Sequence, residues 1–332
     1  MLARKLVLIV CGWLILFGSA TDVRAFENGV AVTPRNFPAH SSADLDDAFR
    51  LARELGRHAV FIYQWHEFDP RVAGLMVAKA RQSGLVPIVG LSPTTLDQGR
   101  KELDLPDAVR KAAGRRISFA NRTIRKEYIR AAKELAQLRP EYLCLATEIN
   151  LLALQRLDEY LRFASLYKEA YRAVKKISPA TRVFVSFQWE WTRILDARET
   201  HRLKEHSKVI SIFKPELDLV GLTTYPSPFH ASPAELPADY YAWVNNHVER
   251  TDRILLMEVG WPTSMSGDED EQEAFVRRLP ELLRDVNVGI VAWALLHDVH
   301  LGEFDANLNT VGLLTSDGRK KKAYEAFRAI GR

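Results

Sequence analysis

The chain has 332 residues, 47% of them hydrophobic and 27% charged, which is enough apolar material for a large core and too much for a disordered chain. Its 46 lysines and arginines against 42 acidic residues leave a net charge of +4, too even a balance to point to nucleic acid, and two cysteines cannot make a disulfide framework.

In chain order, Arg4 and Lys5 precede an apolar run over 6–17, small residues follow, and the stretch ends Val23-Arg24-Ala25. This order of charge, apolar run and small residues is expected of a secretory signal over 1–25, cleaved before Phe26. An uncleaved anchor is the alternative, although the run is shorter than the roughly 20 residues a span needs. Cys11 does not fit a lipoprotein cysteine, because Val10 stands where a small residue is expected. Residues 26–332 then carry 43 basic against 41 acidic residues and one cysteine, Cys144, so a secreted or periplasmic form has no internal disulfide and depends on its core.

From residue 26 onward, short apolar runs alternate with longer stretches of helical periodicity, the pattern of βα units on a parallel sheet. Strands are predicted over 29–33, 59–64, 86–91, 142–148, 183–188, 217–224, 254–258 and 289–295. Helices are predicted over 43–55, 70–83, 123–138, 157–177, 199–212, 238–248, 269–285 and 320–330. Ser42 and Asp268 can cap the first and seventh helices, and Gly56 and Gly84 can end the first two. Eight such units predict an α/β fold with one domain over 26–332, a single (β/α)8 TIM barrel whose site lies where the strands end.

The connection over 92–122 is long, and its charges, as in Arg100-Lys101-Glu102 and Arg115-Arg116, suit a wall beside a polar cleft. A surface excursion with a short helix near 106–113 is the other reading. The cluster Arg319-Lys320-Lys321-Lys322 is expected to be the solvated start of the last helix.

Two runs, Leu145-Ala146-Thr147-Glu148-Ile149-Asn150 and Leu255-Leu256-Met257-Glu258-Val259-Gly260-Trp261-Pro262, each set a glutamate at the end of an apolar strand. Strand alternation puts Cys144, Ala146 and Glu148 on one face, and Ile254, Leu256 and Glu258 on another, so both carboxylates are expected to continue core-facing lines to the barrel mouth. One such carboxylate could be a salt-bridged structural group. Two, on the fourth and seventh strands, suit cleavage of a glycosidic bond, where one carboxyl protonates the leaving oxygen and the other attacks or activates water.

On the sixth strand Leu219, Gly221, Thr223 and Tyr225 share a face, and the Tyr225 hydroxyl could donate to Glu258 and hold it ionised. Trp65, Trp189, Trp191, Trp261 and Trp293 all fall at or just past strand ends, where their flat faces could stack on sugar rings; core filling is the alternative. Gln188, Arg35, Gln64 and His66 could bind hydroxyls.

These residues resemble the retaining glycoside hydrolases of clan A, particularly the family 53 endo-galactanases and family 17 β-glucanases. Thr147-Glu148-Ile149-Asn150 is similar to the Asn-Glu-Ile-Asn of the fourth strand, and Glu258-Val259-Gly260-Trp261-Pro262 to the Glu-Thr-Gly-Trp-Pro of the seventh. Val220-Gly221-Leu222-Thr223-Thr224-Tyr225-Pro226 is similar to the sixth-strand Ile-Gly-Leu-Ser-Tyr-Tyr-Pro, and Trp293 with the tail from Gly312 to Tyr324 resembles the eighth strand and closing segment. The resemblance implies double displacement with Glu148 as acid/base and Glu258 as nucleophile, their carboxyls near 5 to 5.5 Å apart. It further implies a β-linked polysaccharide or oligosaccharide substrate and endo action. No cofactor or metal is expected, no nucleic acid given the even charge, no membrane once the signal is cleaved, and a monomer. Thr147 departs from the pattern, standing where an asparagine binds the substrate's 2-hydroxyl.

Three other readings compete. His297-Asp298-Val299-His300 after the eighth strand suggests a metal-dependent hydrolase, but no His-x-His pair on the first strand completes such a site. Asp305-Ala306-Asn307-Leu308-Asn309 alternates oxygen ligands yet lacks the glycine and glutamate of an EF-hand loop. A noncatalytic sugar-binding protein on the same barrel is supported by Thr147.

Overall fold

The computed structural model describes residues 26–97, 99–197, 208–249, 252–263, 268–301 and 307–331. The expected signal over 1–25 and most of the helix predicted over 199–212 lie outside these residues, as does part of the acidic loop over 305–309. Nine parallel strands pair in the order β5-β4-β3-β2-β1-β9-β8-β7-β6. They are β1 (Glu27–Ala31), β2 (His58–Gln64), β3 (Val86–Ser92), β4 (Tyr142–Cys144), β5 (Arg182–Phe184), β6 (Ser186–Gln188), β7 (Val220–Thr224), β8 (Ile254–Val259) and β9 (Val288–Trp293).

The predicted fifth strand is real but broken at Val185. Its first half pairs with β4 and its second with β7, and the Val185 carbonyl accepts from the Gly221 amide, so β5 and β6 together close the ring. The eight strand positions and the helices between them make the predicted (β/α)8 barrel.

The helices are α1 (Ser42–Leu55), α2 (Pro70–Gln82), α3 (Asp107–Ala113), α4 (Arg122–Gln137), α5 (Asn150–Gln155), α6 (Leu157–Ile177), α7 (Trp189–Ala197), α8 (Lys208–Ser211), α9 (Glu269–Leu282) and α10 (Lys322–Ile330). The cap of α1 is Ser41 and not Ser42: the Ser41 hydroxyl accepts from the Asp44 amide while the Asp44 carboxylate accepts from the Ser41 amide, a full capping box. Asp268 caps α9 by accepting from the Glu271 amide. The helix expected over 238–248 is only a 3-10 turn, Ala242–Asn246. Two asparagines at its end are weak helix formers, and Asn245 bonds the Asp285 carbonyl across to the next unit.

The solvated start expected for the last helix is wrong at one residue. Lys321 is buried, and its ammonium donates to Asp298 at 2.8 Å, to the Thr263 hydroxyl and to the Thr310 carbonyl. Its neighbours Arg319 and Lys322 do face solvent, pairing with Glu269 and Asp270.

Both faces of the strands are buried, as in parallel barrels generally. Val60, Ile88, Cys144, Phe184, Leu255, Met257 and Ile290 fill the inside. Val89, Leu143, Val183, Leu222, Leu256 and Val291 pack outward with the helices. One predicted face is therefore inverted and another is interrupted. Ile254 and Leu256 point to the helices, and Ala146 leaves the inner line that Cys144 occupies.

Candidate active site

Both glutamates reach the barrel mouth by local irregularities instead of regular alternation. Strand β4 stops at Cys144, and Glu148 adopts a left-handed backbone with φ of 52°, which costs a residue bearing a side chain about 1 kcal/mol or more. The segment stays fixed because Ser186 accepts the Glu148 amide at 3.0 Å while Leu145 and Ile149 donate to carbonyls of the fifth strand. In β8 the register against β7 jumps between Leu256 and Glu258, so Met257 is an extra residue. That β-bulge turns Met257 and Glu258 toward the inside together, the way bulges re-aim side chains beside functional sites.

The two carboxylates line one cavity of about 590 Å³, within the size range of small-molecule sites. The Tyr225 hydroxyl donates to Glu258 Oε2 at 2.7 Å. Burial, then the charge of Glu148, pushes the Glu258 carboxyl up to about 7, with the Tyr225 hydroxyl and the Arg100 guanidinium opposing. Burial, reinforced by both glutamates, holds the Tyr225 phenol well above its ordinary range, so it remains a donor. Glu148 is more open and heavily bonded. Arg100 Nη2 and Nε donate to its Oε2 at 2.9 and 3.1 Å, and Thr223 Oγ1 donates to its Oε1 at 2.8 Å.

Behind Tyr225 lies a third carboxylate, Glu190, which strand reasoning overlooked. It accepts from the Thr224 hydroxyl, the Tyr240 hydroxyl, the Tyr225 amide and the Gln188 side-chain amide. Burial raises its pKa, and these bonds oppose that. Glu190 thereby locks the turn that aims Tyr225 at Glu258.

Of the residues expected at the site, Glu148, Glu258, Tyr225 and Gln188 line the cavity. Gln188 is largely committed, because its amide donates to Glu190 and its carbonyl accepts from the Trp191 amide. Thr147 is buried, and its hydroxyl has no partner among the described residues. It is not among the residues that line the cavity. Arg35 pairs with Asp44 on α1, and His66 pairs with Asp104.

The tryptophans correct the expectation of a stacking surface. Trp65, Trp189, Trp261 and Trp293 are at most 2% exposed and pack in the outer core. Trp65 meets Tyr128 edge-on, Trp189 lies on Trp243, Trp261 on Phe275, and Trp293 against Phe327 while its indole N–H donates to the Val311 carbonyl. Ala292 takes the inward position in β9, so Trp293 must point to the helices. Among the described tryptophans only Trp191, on the first turn of α7, lines the cavity, edge-on to Phe229.

Truncation separates the two kinds of tryptophan. Trp293→Ala is expected to cost about 3–5 kcal/mol of stability and leave KM unchanged, whereas Trp191→Ala raises KM about five- to tenfold at an unchanged melting temperature. Calorimetry and saturation kinetics on both variants check this.

The cavity also uses residues to which sequence reasoning gave no individual role at the site. Arg100, Asp97 and Leu96 come from the long connection after β3, which the sequence suggested as a wall, and Phe229 and Leu308 come from later loops. Among the described residues no group of three or more His, Cys, Asp or Glu side chains could hold a metal ion; His297 instead bonds the Thr33 carbonyl.

No protein-family model matches the chain, and no curated protein matches it in sequence. Solved structures do. A GH5_18 protein from Streptomyces cattleya in complex with GlcNAc is 19% identical, with a TM-score of 0.70, over 92% of this chain and 79% of that one. A variant of the Streptomyces cattleya GH5_18 in complex with Manβ1-4GlcNAc has a TM-score of 0.68 at 18% identity, covering 92% and 79%. An exo-β-1,4-mannosidase from Opitutaceae bacterium strain TAV5 matches at 14% identity and a TM-score of 0.70, over 92% of this chain and 58% of that one. A family 39 glycoside hydrolase from Bacteroides cellulosilyticus WH2 is 17% identical, with a TM-score of 0.63, over 94% and 64%. At these identities the likeness establishes the barrel fold, which the chain shares with several glycoside hydrolases.

Proposed function

We propose that the chain is a retaining glycoside hydrolase that cleaves β-linked glycans, endo-acting on a polysaccharide, with Glu148 as acid/base and Glu258 as nucleophile. The observation that carries this is the meeting of two carboxylates from the fourth and seventh barrel positions in one cavity, with Tyr225 bonded to Glu258. Glu258 attacks the anomeric carbon while Glu148 protonates the departing oxygen; Glu148 then takes a proton from the water that releases the glycosyl-enzyme. The working site thus needs one proton for two carboxyls. Support comes from the glycosidase neighbours and from the family 53 and family 17 resemblance around Glu148, Tyr225 and Glu258. The leader reading of 1–25 adds the proposal that the enzyme works outside the cytoplasm; separately, we propose that it is a monomer and needs no cofactor.

A noncatalytic carbohydrate-binding barrel is the second reading. It is favoured by the Arg100 clamp, which sets a fixed cation on the carboxylate expected to act as the acid, and by the burial of Thr147. Reducing-sugar release from β-galactans, β-glucans and β-mannans decides between them. Release from one class is expected, with the β-anomer formed first when the products are followed by proton NMR. Glycan binding without release from any class would move the conclusion to the second reading.

A further inference from the structure

Arg100 is the one cation among the described residues that line the cavity, and its setting is unusual. Its backbone is left-handed, with φ of 48°, and its side chain is 5% exposed. Two of its nitrogens converge on a single oxygen of Glu148, and the third, Nη1, donates to the Ser92 hydroxyl at the end of β3 at 3.2 Å. A long side chain buried against one carboxylate and anchored at its far nitrogen gives up its rotamer freedom for one geometry. It also puts a positive charge beside the group that must act as an acid.

We propose that Arg100 is a positioning residue that fixes the Glu148 carboxylate and, by its charge, limits the two glutamates to one shared proton, so setting the pH range in which the site works. The inference rests on the glycosidase reading. With two protons bound, Glu258 cannot attack; with none, Glu148 cannot donate. A guanidinium favours the anion of any carboxyl near it, so both proton-binding steps occur at lower pH with Arg100 than without it. Burial and the neighbouring carboxylate push the Glu258 carboxyl upward, and the Arg100 charge opposes them.

The other titratable groups that face the pair cannot take this role. Asp97, on the same loop, is an anion, and hydrogen bonds from Thr95 and the Gly99 amide help hold it below its ordinary value. Tyr225 after β7 and Cys144 on β4 are neutral, the thiol pushed up to about 12 by burial. Glu190 on α7 is saturated by its own donors. Removal of Arg100 therefore leaves the pair without a counter-charge in the cavity.

The test uses the full chain with Arg100→Met, which removes the charge; Arg100→Gln, a second charge-free form that can still hydrogen-bond; and Arg100→Lys, which keeps the charge without the two-nitrogen clamp. Two readouts are taken: kcat/KM against pH on the best glycan of the panel, and titration of the Glu258 carboxyl by carbon-13 NMR in glutamate-labelled protein, assigned with Glu258→Gln. In the charge-free variants both limbs of the pH profile, and the Glu258 titration, are expected to move up by about 1 to 2 pH units. Arg100→Lys keeps the limbs near their original positions and loses kcat through misplacement of Glu148. Unmoved limbs and an unmoved Glu258 titration in either folded charge-free variant would overturn the proposal, however much activity is lost. If the unaltered protein hydrolyses no glycan, the glycosidase reading has failed, and the carbon-13 titration alone decides the electrostatic claim for Arg100.

Discussion

Glu258→Gln is expected to lower kcat on the order of 10⁵-fold while KM changes little, the largest effect of any single substitution in this protein. The amide has nearly the shape of the carboxyl and can still accept from the Tyr225 hydroxyl, so the cavity keeps its form and its affinity for glycan. What it lacks is a nucleophilic oxygen, and no neighbouring group supplies one: Glu148 is clamped by Arg100 and Thr223, and Glu190 is sealed behind Tyr225. The smaller variant Glu258→Ala sharpens the result, because it leaves room for azide at the nucleophile's position. An α-glycosyl azide formed from a β-linked aryl glycoside would identify Glu258 as the residue that attacks carbon. Azide that fails to restore turnover to Glu258→Ala, alongside a Glu258→Gln variant retaining more than about a hundredth of the original kcat, would assign Glu258 an electrostatic role instead.

How Glu258 comes to face the cavity shows what could be read from the chain and what could not. Alternation of apolar runs and helical periodicity was enough for the barrel, because each unit announces itself locally and eight of them close in only one economical way. The two glutamates and Tyr225 stood out because an apolar strand seldom ends in a charged or phenolic group unless that group has chemistry to do. Side-chain direction was less legible. In a parallel barrel both faces of a strand are buried, so Ile254-Leu255-Leu256-Met257 carries no contrast to say which face is inside. The bulge at Met257 and the left-handed backbone at Glu148 then undo any parity counted from the strand.

The tryptophans failed for the same reason: Trp293 ends a strand and Trp261 closely follows one, yet the wide indole fits the space between sheet and helices as well as a sugar site. Arg100 is the harder case. It lies 48 residues from Glu148 in a loop with no periodicity, and only the folded chain brings them together.

Glu148→Gln makes a more conditional loss, which is what identifies a general acid/base. On a polysaccharide, whose leaving hydroxyl departs poorly without a proton, kcat/KM is expected to fall about 10²- to 10⁴-fold. On a β-glycoside of a good leaving group, such as a dinitrophenol, the first step needs no proton, and the deficit shifts to hydrolysis of the glycosyl-enzyme. Burst kinetics with a lowered KM follow, because the intermediate accumulates. Azide then accelerates turnover by intercepting that intermediate, and the product is the β-azide, opposite to the anomer expected from Glu258→Ala. The pair of opposite anomers is the strongest discriminator available, since each assigns one carboxylate to one face of the sugar. A loss in Glu148→Gln that is equal for good and poor leaving groups would remove the acid role. The Arg100 clamp would then read as the mark of a carboxylate meant to remain an anion, and the barrel as one that binds glycan without cutting it.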